Sequence, residues 1–141
     1  MKSKNLLRIA SVIMFLHLLG HTFGHLTWKD SPDPARQEVI KQMTGNKLPF
    51  MGATRSMAEY YNGYGYIATI AMLLIIFLLW SISNATGNKS PLISKLLWAA
   101  TGFLFLLGID ELIYFFPFAA AFSLLSGLLT LLATVQLSKN S

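Results

Sequence analysis

The chain has 141 residues, of which 54% are hydrophobic and only 12% are charged. Soluble domains carry roughly a quarter of charged residues, so most of this protein's surface must face something other than water. There are no cysteines, which excludes disulfide scaffolds, thiolate metal sites and thiol redox chemistry. The net charge of +5 does not indicate a nucleic-acid partner, because the basic residues lie at the ends of apolar runs.

Four apolar segments are long enough for transmembrane helices, which need about 20 residues each. They cover approximately residues 6–26, 63–82, 92–116 and 117–137. The stretch 92–137 is about twice the length of one span, and Pro117, a residue that suits the first turn of a helix, divides it. The sequence therefore predicts an all-α, up-and-down four-helix transmembrane bundle that forms one integral membrane domain over residues 1–141.

Basic residues at the ends of the apolar segments predict the orientation. They are Lys2, Lys4, Arg8, Lys89, Lys95 and Lys139. The long 27–62 connection is nearly neutral. The positive-inside rule then places both termini, and the connection between the second and third segments, in the cytoplasm. A basic start also resembles a signal peptide, but the long first segment lacks a small-residue cleavage site, which favours a helix that is retained.

The external 27–62 connection is predicted to contain a short amphipathic helix. Asp33, followed by Pro34, is typical of a helix start, and the helix would run to about Met43. Gly45 and Asn46 form a natural stop. Such a helix would lie on the outer membrane interface, and a plain connector is the alternative.

All three histidines, His17, His21 and His25, lie in the first apolar segment with a spacing of four. This spacing places them in one slowly winding stripe of a helix. Gly20 and Gly24 lie beside the stripe as a small-xxx-small pair, which lets a second helix approach closely. We therefore expect the histidine face to be turned into the bundle.

Asp110 and Glu111 are the only acidic residues within an apolar segment, where ionisable groups are costly and often functional. If the first and third segments leave the membrane at the same level, His21 and Asp110 lie at similar depths, about 10 Å inside that end. His17 would then lie near the midplane with no acidic residue at its level. The two neighbouring acids point about 100° apart, so only one of them can easily face His21.

These positions predict a polar pocket in the outer half of the bundle. Its candidate ligand-binding residues are His21, His25, Arg55, Glu59, Asp110, Glu111 and Tyr114. A polar stripe in the fourth segment comprises Ser126, Thr130 and Thr134, widened by Ser123 and Gly127. Such side chains can hydrogen-bond to neighbouring helices.

Three interpretations of the pocket remain open. His21, His25 and Asp110 are the candidate ligands of a zinc or iron site. Alternatively, His21 with Asp110 or Glu111 is the candidate catalytic acid–base pair of an enzyme acting on a lipid-like substrate. The third interpretation is a satisfied hydrogen-bonded pair that fixes helix register. We expect a protein that binds a lipid or small molecule within the bilayer, or an accessory subunit, with an enzyme as the alternative and a homo-oligomer as a further option.

Two sequence stretches resemble a family of small uncharacterised bacterial membrane proteins. The first leads from Leu6–Val12 into the Gly-His-Thr-x-Gly motif at Gly20–Gly24, and the second contains Arg55-Ser56 and Tyr60–Gly65. The resemblance covers about the first half of the chain. It implies a four-helix protein of the bacterial inner membrane and supplies no activity, substrate or catalytic residue.

Overall fold

A computed structural model describes residues 1–87 and 90–139; Lys89, used above for orientation, lies outside them. The elements are α1 (Ser3–Thr27), α2 (Pro34–Gly45), β1 (Lys47–Phe50), β2 (Ala53–Ser56), α3 (Met57–Ala85), α4 (Pro91–Tyr114) and α5 (Pro117–Lys139). The long helices α1, α3, α4 and α5 are each long and apolar enough to cross a membrane. The predicted helical bundle is confirmed, and we treat the chain as a multi-pass membrane protein.

The starts of α3, α4 and α5 have local causes in the sequence. Pro91 and Pro117 occupy the first positions of α4 and α5, where a missing N–H group leaves nothing unsatisfied. The predicted division of the 92–137 stretch at Pro117 is confirmed, and α4 ends at Tyr114, two residues earlier than the apolar run. Helix α3 begins six residues before its apolar run, because a polar cap at Ser56 adds its first turns.

The predicted helix in the 27–62 connection is confirmed as α2. The Asp33 side chain accepts a hydrogen bond from the N–H of Ala35 at 3.1 Å, and Pro34 follows as the first helical residue. The helix ends at Gly45 with Asn46 as its C-cap, as the sequence predicted. The antiparallel strands β1 and β2 that follow it were not predicted.

The chain folds into two compact units. The larger unit comprises Met1–Leu18 and Met72–Ser141, and the smaller unit comprises Leu19–Ala71. In the larger unit, Leu7, Met14, Leu79, Leu97 and Leu104 form the centre of one apolar core. Much of its outer surface is also apolar, which a lipid-facing surface requires.

Helices α4 and α5 form a closely packed hairpin in the larger unit. Gly108 lies so near α5 that a Cβ added there would come within 2.7 Å of the Leu124 side chain. A Cβ added at Gly127 would make ordinary contact with Leu104. The buried face of α5 is lined by small and hydroxylated residues: Ala120, Ser123, Ser126, Gly127, Thr130, Ala133 and Thr134. Small side chains at these positions permit the close approach of the two helices.

Candidate functional site

A buried polar cluster in the larger unit joins three helices. His17 of α1 places its Nε2 atom 3.3 Å from Oε1 of Glu111 in α4. On the other side of the imidazole ring, Nδ1 lies 3.3 Å from the hydroxyl oxygen of Ser123 in α5. All three side chains are buried. The imidazole therefore bridges a carboxyl group and a hydroxyl group in the interior of the larger unit.

The second carboxyl oxygen of Glu111, Oε2, is buried and has no hydrogen-bond partner among the described residues. An unsatisfied buried polar atom is costly and needs an explanation. The neighbouring acid, Asp110, is exposed, as expected for a residue about 100° further round the helix. Glu111 is thus the acid of this pair that faces a histidine.

The acid–histidine pair lies one helical turn deeper along α1 than we predicted. The expectation that no acidic residue lies at the level of His17 is wrong, because Glu111 meets it. The prediction assumed that α1 and α4 end at the same level. However, α1 continues to Thr27, well past His17, whereas α4 ends at Tyr114, one turn after Glu111.

A second cluster, in the smaller unit, surrounds Gly65 of α3. The Nε2 atom of His21 lies 3.1 Å from the carbonyl oxygen of Gly65. The His25 ring stacks parallel to that of His21, with 6.0 Å between ring centroids, and meets the edge of Tyr66 at 4.9 Å. A Cβ on Gly65 would overlap the His25 ring. Only glycine lets the imidazole pack against this part of α3.

The close approach predicted at Gly20 and Gly24 is not found. Both residues are exposed, and no heavy atom among the described residues lies within 4 Å of the position of an added Cβ. His21 and His25 therefore pack against Gly65 of α3, and the glycines beside them are not used. A spacing of four identifies residues that share a face, and it does not identify which face a neighbour covers.

An open groove of about 300 Å³ runs along the start of α3 in the smaller unit. It is lined by Arg55, Glu59, Tyr60, Gly63, Tyr64 and Ile67. Arg55 provides a cation at one end, and the other lining residues follow down one face of the helix. Two of the predicted ligand-binding residues, Arg55 and Glu59, therefore line the same groove.

Glu59 also has a structural role at the start of α3. Its Oε2 atom accepts a hydrogen bond from the backbone N–H of Ser56 at 2.7 Å, and the Ser56 hydroxyl accepts one from the N–H of Glu59 at 3.2 Å. This reciprocal arrangement is a capping box. The other carboxylate oxygen lies 3.8 Å from Nη1 of Arg55, so Glu59 also orients the guanidinium group.

The remaining predicted site residues are placed differently. Tyr114 is the last residue of α4 and is exposed, as is Asp110. Within the described ranges, no three histidine or acidic side chains lie close enough together to hold one metal ion. The geometry therefore gives the zinc or iron hypothesis for His21, His25 and Asp110 no support.

Sequence reasoning noted Ser123 only as part of the polar stripe of α5. Glu111 and Ser123 lie equally far from Pro117, on either side of it. A tight hairpin with its corner at that proline must bring the two residues to the same level. This symmetry was the signal that could have identified Ser123.

Comparisons of the chain with protein-family models, with curated proteins and with solved structures found no match. The function must therefore be argued from the residues themselves.

Proposed function

We propose that the protein binds a lipid-like molecule with an anionic headgroup in the groove along the start of α3. The observation that carries the proposal is that one groove is lined by the Arg55 cation at one end and by Tyr64 and Ile67 further along α3. A charged head followed by an apolar tail matches this order of residues. Tyrosine and arginine are also typical of the membrane interface, where headgroups lie.

The guanidinium group of Arg55 has capacity for a phosphate. Its Nη1 atom lies 3.8 Å from the Glu59 carboxylate and 3.4 Å from the carbonyl oxygen of Thr54. Within the part of the chain that the structure describes, Nη2 and Nε make no hydrogen bond, and the side chain is 56% exposed. Arginine binds phosphate through two parallel N–H groups, and the Nη2 and Nε groups of Arg55 form an edge of the guanidinium group that suits this geometry.

The location that we propose is the bacterial inner membrane, with both termini in the cytoplasm and the groove on the outer side. The distribution of basic residues supports this orientation, and the resemblance of the first half of the chain supports the bacterial assignment. An accessory subunit or homo-oligomer that uses the groove is compatible with the same binding function.

Lipid binding by native mass spectrometry tests the proposal. Phosphatidylglycerol and phosphatidylcholine serve as the anionic and zwitterionic probes, and Arg36→Gln, an exposed position on α2, is the matched control for Arg55→Gln. A hydrogen bond to a charged group contributes about 1.5–3 kcal/mol, so we expect Arg55→Gln to weaken phosphatidylglycerol binding at least roughly tenfold. Equal binding of both lipids, or unchanged binding by Arg55→Gln, would refute the proposal.

The second candidate is acid–base chemistry within the membrane at His17 and Glu111, in place of the His21 pair. The specific observation in its favour is Oε2 of Glu111, which has no hydrogen-bond partner in the described ranges and lies beside an imidazole that can exchange a proton. Such a site requires that a substrate reach Glu111 from the bilayer.

An apolar carbodiimide, which modifies carboxylic acids, tests this access. In an Asp110→Asn background, specific modification of Glu111 found by peptide mass spectrometry, and absent from the Glu111→Gln variant, would support the second candidate. A protein that remains unmodified after long exposure would exclude a substrate path from the lipid.

A further inference from the structure

The strands β1 and β2 form a hairpin with a strongly apolar tip. Lys47 pairs with Ser56, Leu48 with Arg55, Pro49 with Thr54, and Phe50 with Ala53. Every strand residue except Ser56 is exposed. A two-stranded hairpin with no covered face is at best marginally stable in water, so its surroundings must contribute to its order.

The loop residue Met51 occupies a backbone conformation that methionine rarely adopts. Met51 and Gly52 connect the strands with φ angles of 47° and 84°, and two positive values are what a type I′ turn requires. Glycine is usual at the first position because it has no Cβ, and asparagine and aspartate are usual because their short polar side chains tolerate a positive φ. Instead the chain carries a methionine that is 90% exposed. A strained residue of this kind points to a use for its side chain.

The end of the hairpin at the turn is apolar, and the other end carries two basic residues. Leu48 and Phe50 lie on one face, and both are more than half exposed. Phe50 and Met51 form an apolar tip, while Leu48 lies level with its partner Arg55 and next to Lys47, farther from the turn. Apolar side chains ahead of a basic pair complement an anionic bilayer surface, whose acyl chains lie beneath its phosphates.

The same face of the hairpin continues into the apolar surface of α3. Arg55 shares the face of its direct partner Leu48 and also lines the groove that leads down α3 to Tyr64 and Ile67. Helix α3 starts immediately after β2, and its exposed residues here, which include Met57, are mainly apolar. The exposed apolar surface of the hairpin therefore lies next to a helix face that the bilayer must cover.

We propose that the tip Phe50–Met51 inserts into the lipid leaflet beside the start of α3, with Leu48 at the membrane interface and Lys47 and Arg55 at the level of the phosphates. The occupant of this surface is the bilayer that the protein's own helices cross. The inference does not depend on a ligand in the groove, because the tip residues do not line the groove.

Site-specific fluorescence tests the insertion. The chain has no cysteine, so Met51→Cys provides a single site for an environment-sensitive dye in the full protein, reconstituted in vesicles of phosphatidylglycerol and phosphatidylcholine. Lys41→Cys, at an exposed position on α2, is the matched control. We expect lipids spin-labelled near the headgroup to quench the dye at position 51 and iodide to quench it several-fold less than the dye at position 41.

Two results would contradict insertion of the tip. Iodide quenching that is equal at the two positions, without quenching by spin-labelled lipid, would place the tip in water and overturn the proposal. Protection from iodide without quenching by spin-labelled lipid would also overturn it and indicate a protein partner.

A second variant guards against an effect of the label. The variant Phe50→Asn/Met51→Asn keeps the turn, because asparagine favours it, but removes the apolar tip. We expect a dye attached to a cysteine at position 48 of this variant to lose its protection from iodide.

Discussion

Removal of His17 should destabilise the protein mainly through the acid that it leaves behind. His17→Leu removes the contacts to Glu111 and Ser123, and side-chain hydrogen bonds between membrane helices contribute about 0.6 kcal/mol each. It also takes the imidazole partner away from Oε1 of Glu111, while Oε2 already has no hydrogen-bond partner among the residues described. An additional unsatisfied buried acceptor costs about 1–3 kcal/mol. We expect the free energy of unfolding to fall by about 2–4 kcal/mol.

Replacement of the acid should be milder than replacement of the histidine. Glu111→Leu removes the paired and the unpaired oxygen together, so we expect the free energy of unfolding to fall by only about 1 kcal/mol. The double variant His17→Leu/Glu111→Leu should be about as stable as Glu111→Leu alone, because His17 has already lost its carboxyl partner. The coupling between the two positions should therefore exceed about 1 kcal/mol.

Reversible unfolding in mixed micelles, followed by circular dichroism as the fraction of denaturing detergent rises, measures all four proteins. Asp110→Asn, an exposed position on the same turn of α4, is the control and should change stability by less than about 0.5 kcal/mol. If the two single effects add to within about 0.5 kcal/mol, His17 and Glu111 do not interact, and the description of the cluster is refuted.

Three further substitutions test the packing and the capping, each by the same unfolding measurement. Gly65→Ala should lower the free energy of unfolding by about 1–3 kcal/mol, because its Cβ would overlap an imidazole ring. Gly63→Ala, with free space around it, is the control and should not destabilise the protein. Equal effects of the two substitutions would contradict the packing described at Gly65. Gly108→Ala should separate α4 from α5 with a similar loss, and Gly102→Ala, which also has free space, is its control. Ser56→Ala should cost about 0.5–2 kcal/mol through loss of the helix cap, and an unchanged protein would show that α3 starts without it.

The sequence predicted the helices well because each had a strong physical signal. Apolar runs of the length of a bilayer allow few alternatives to helices, and Pro117 marked the corner of the α4–α5 hairpin. Helix α2 was also predictable, because Asp33 marks its start and Gly45 and Asn46 mark its end. The predicted end at about Met43 lies two residues before the observed one, and Asp33 and Asn46 are the caps in the structure.

The sites were predicted less well because they depend on how the helices are matched in depth and rotation. The spacing of the histidines defined their common face, but their partners depend on where α1 and α4 stand relative to each other. The apolar tip of the hairpin was not predicted, because strands of only four residues give a weak pattern of alternating apolar and polar residues. The turn residue Met51 also lacks the asparagine or aspartate that usually indicates such a turn.

The corner between α4 and α5 has a consequence for how the protein enters the bilayer. Phe115 and Phe116 connect the two helices, and no basic residue lies between Lys95 and Lys139. The positive-inside rule therefore gives no reason for this corner to be retained in the cytoplasm, so α4 and α5 are suited to insert together as a preassembled pair. In that order of assembly, Glu111 and Ser123 would already lie at one level of the α4–α5 pair, and the imidazole of His17 would bridge them only when α1 docks.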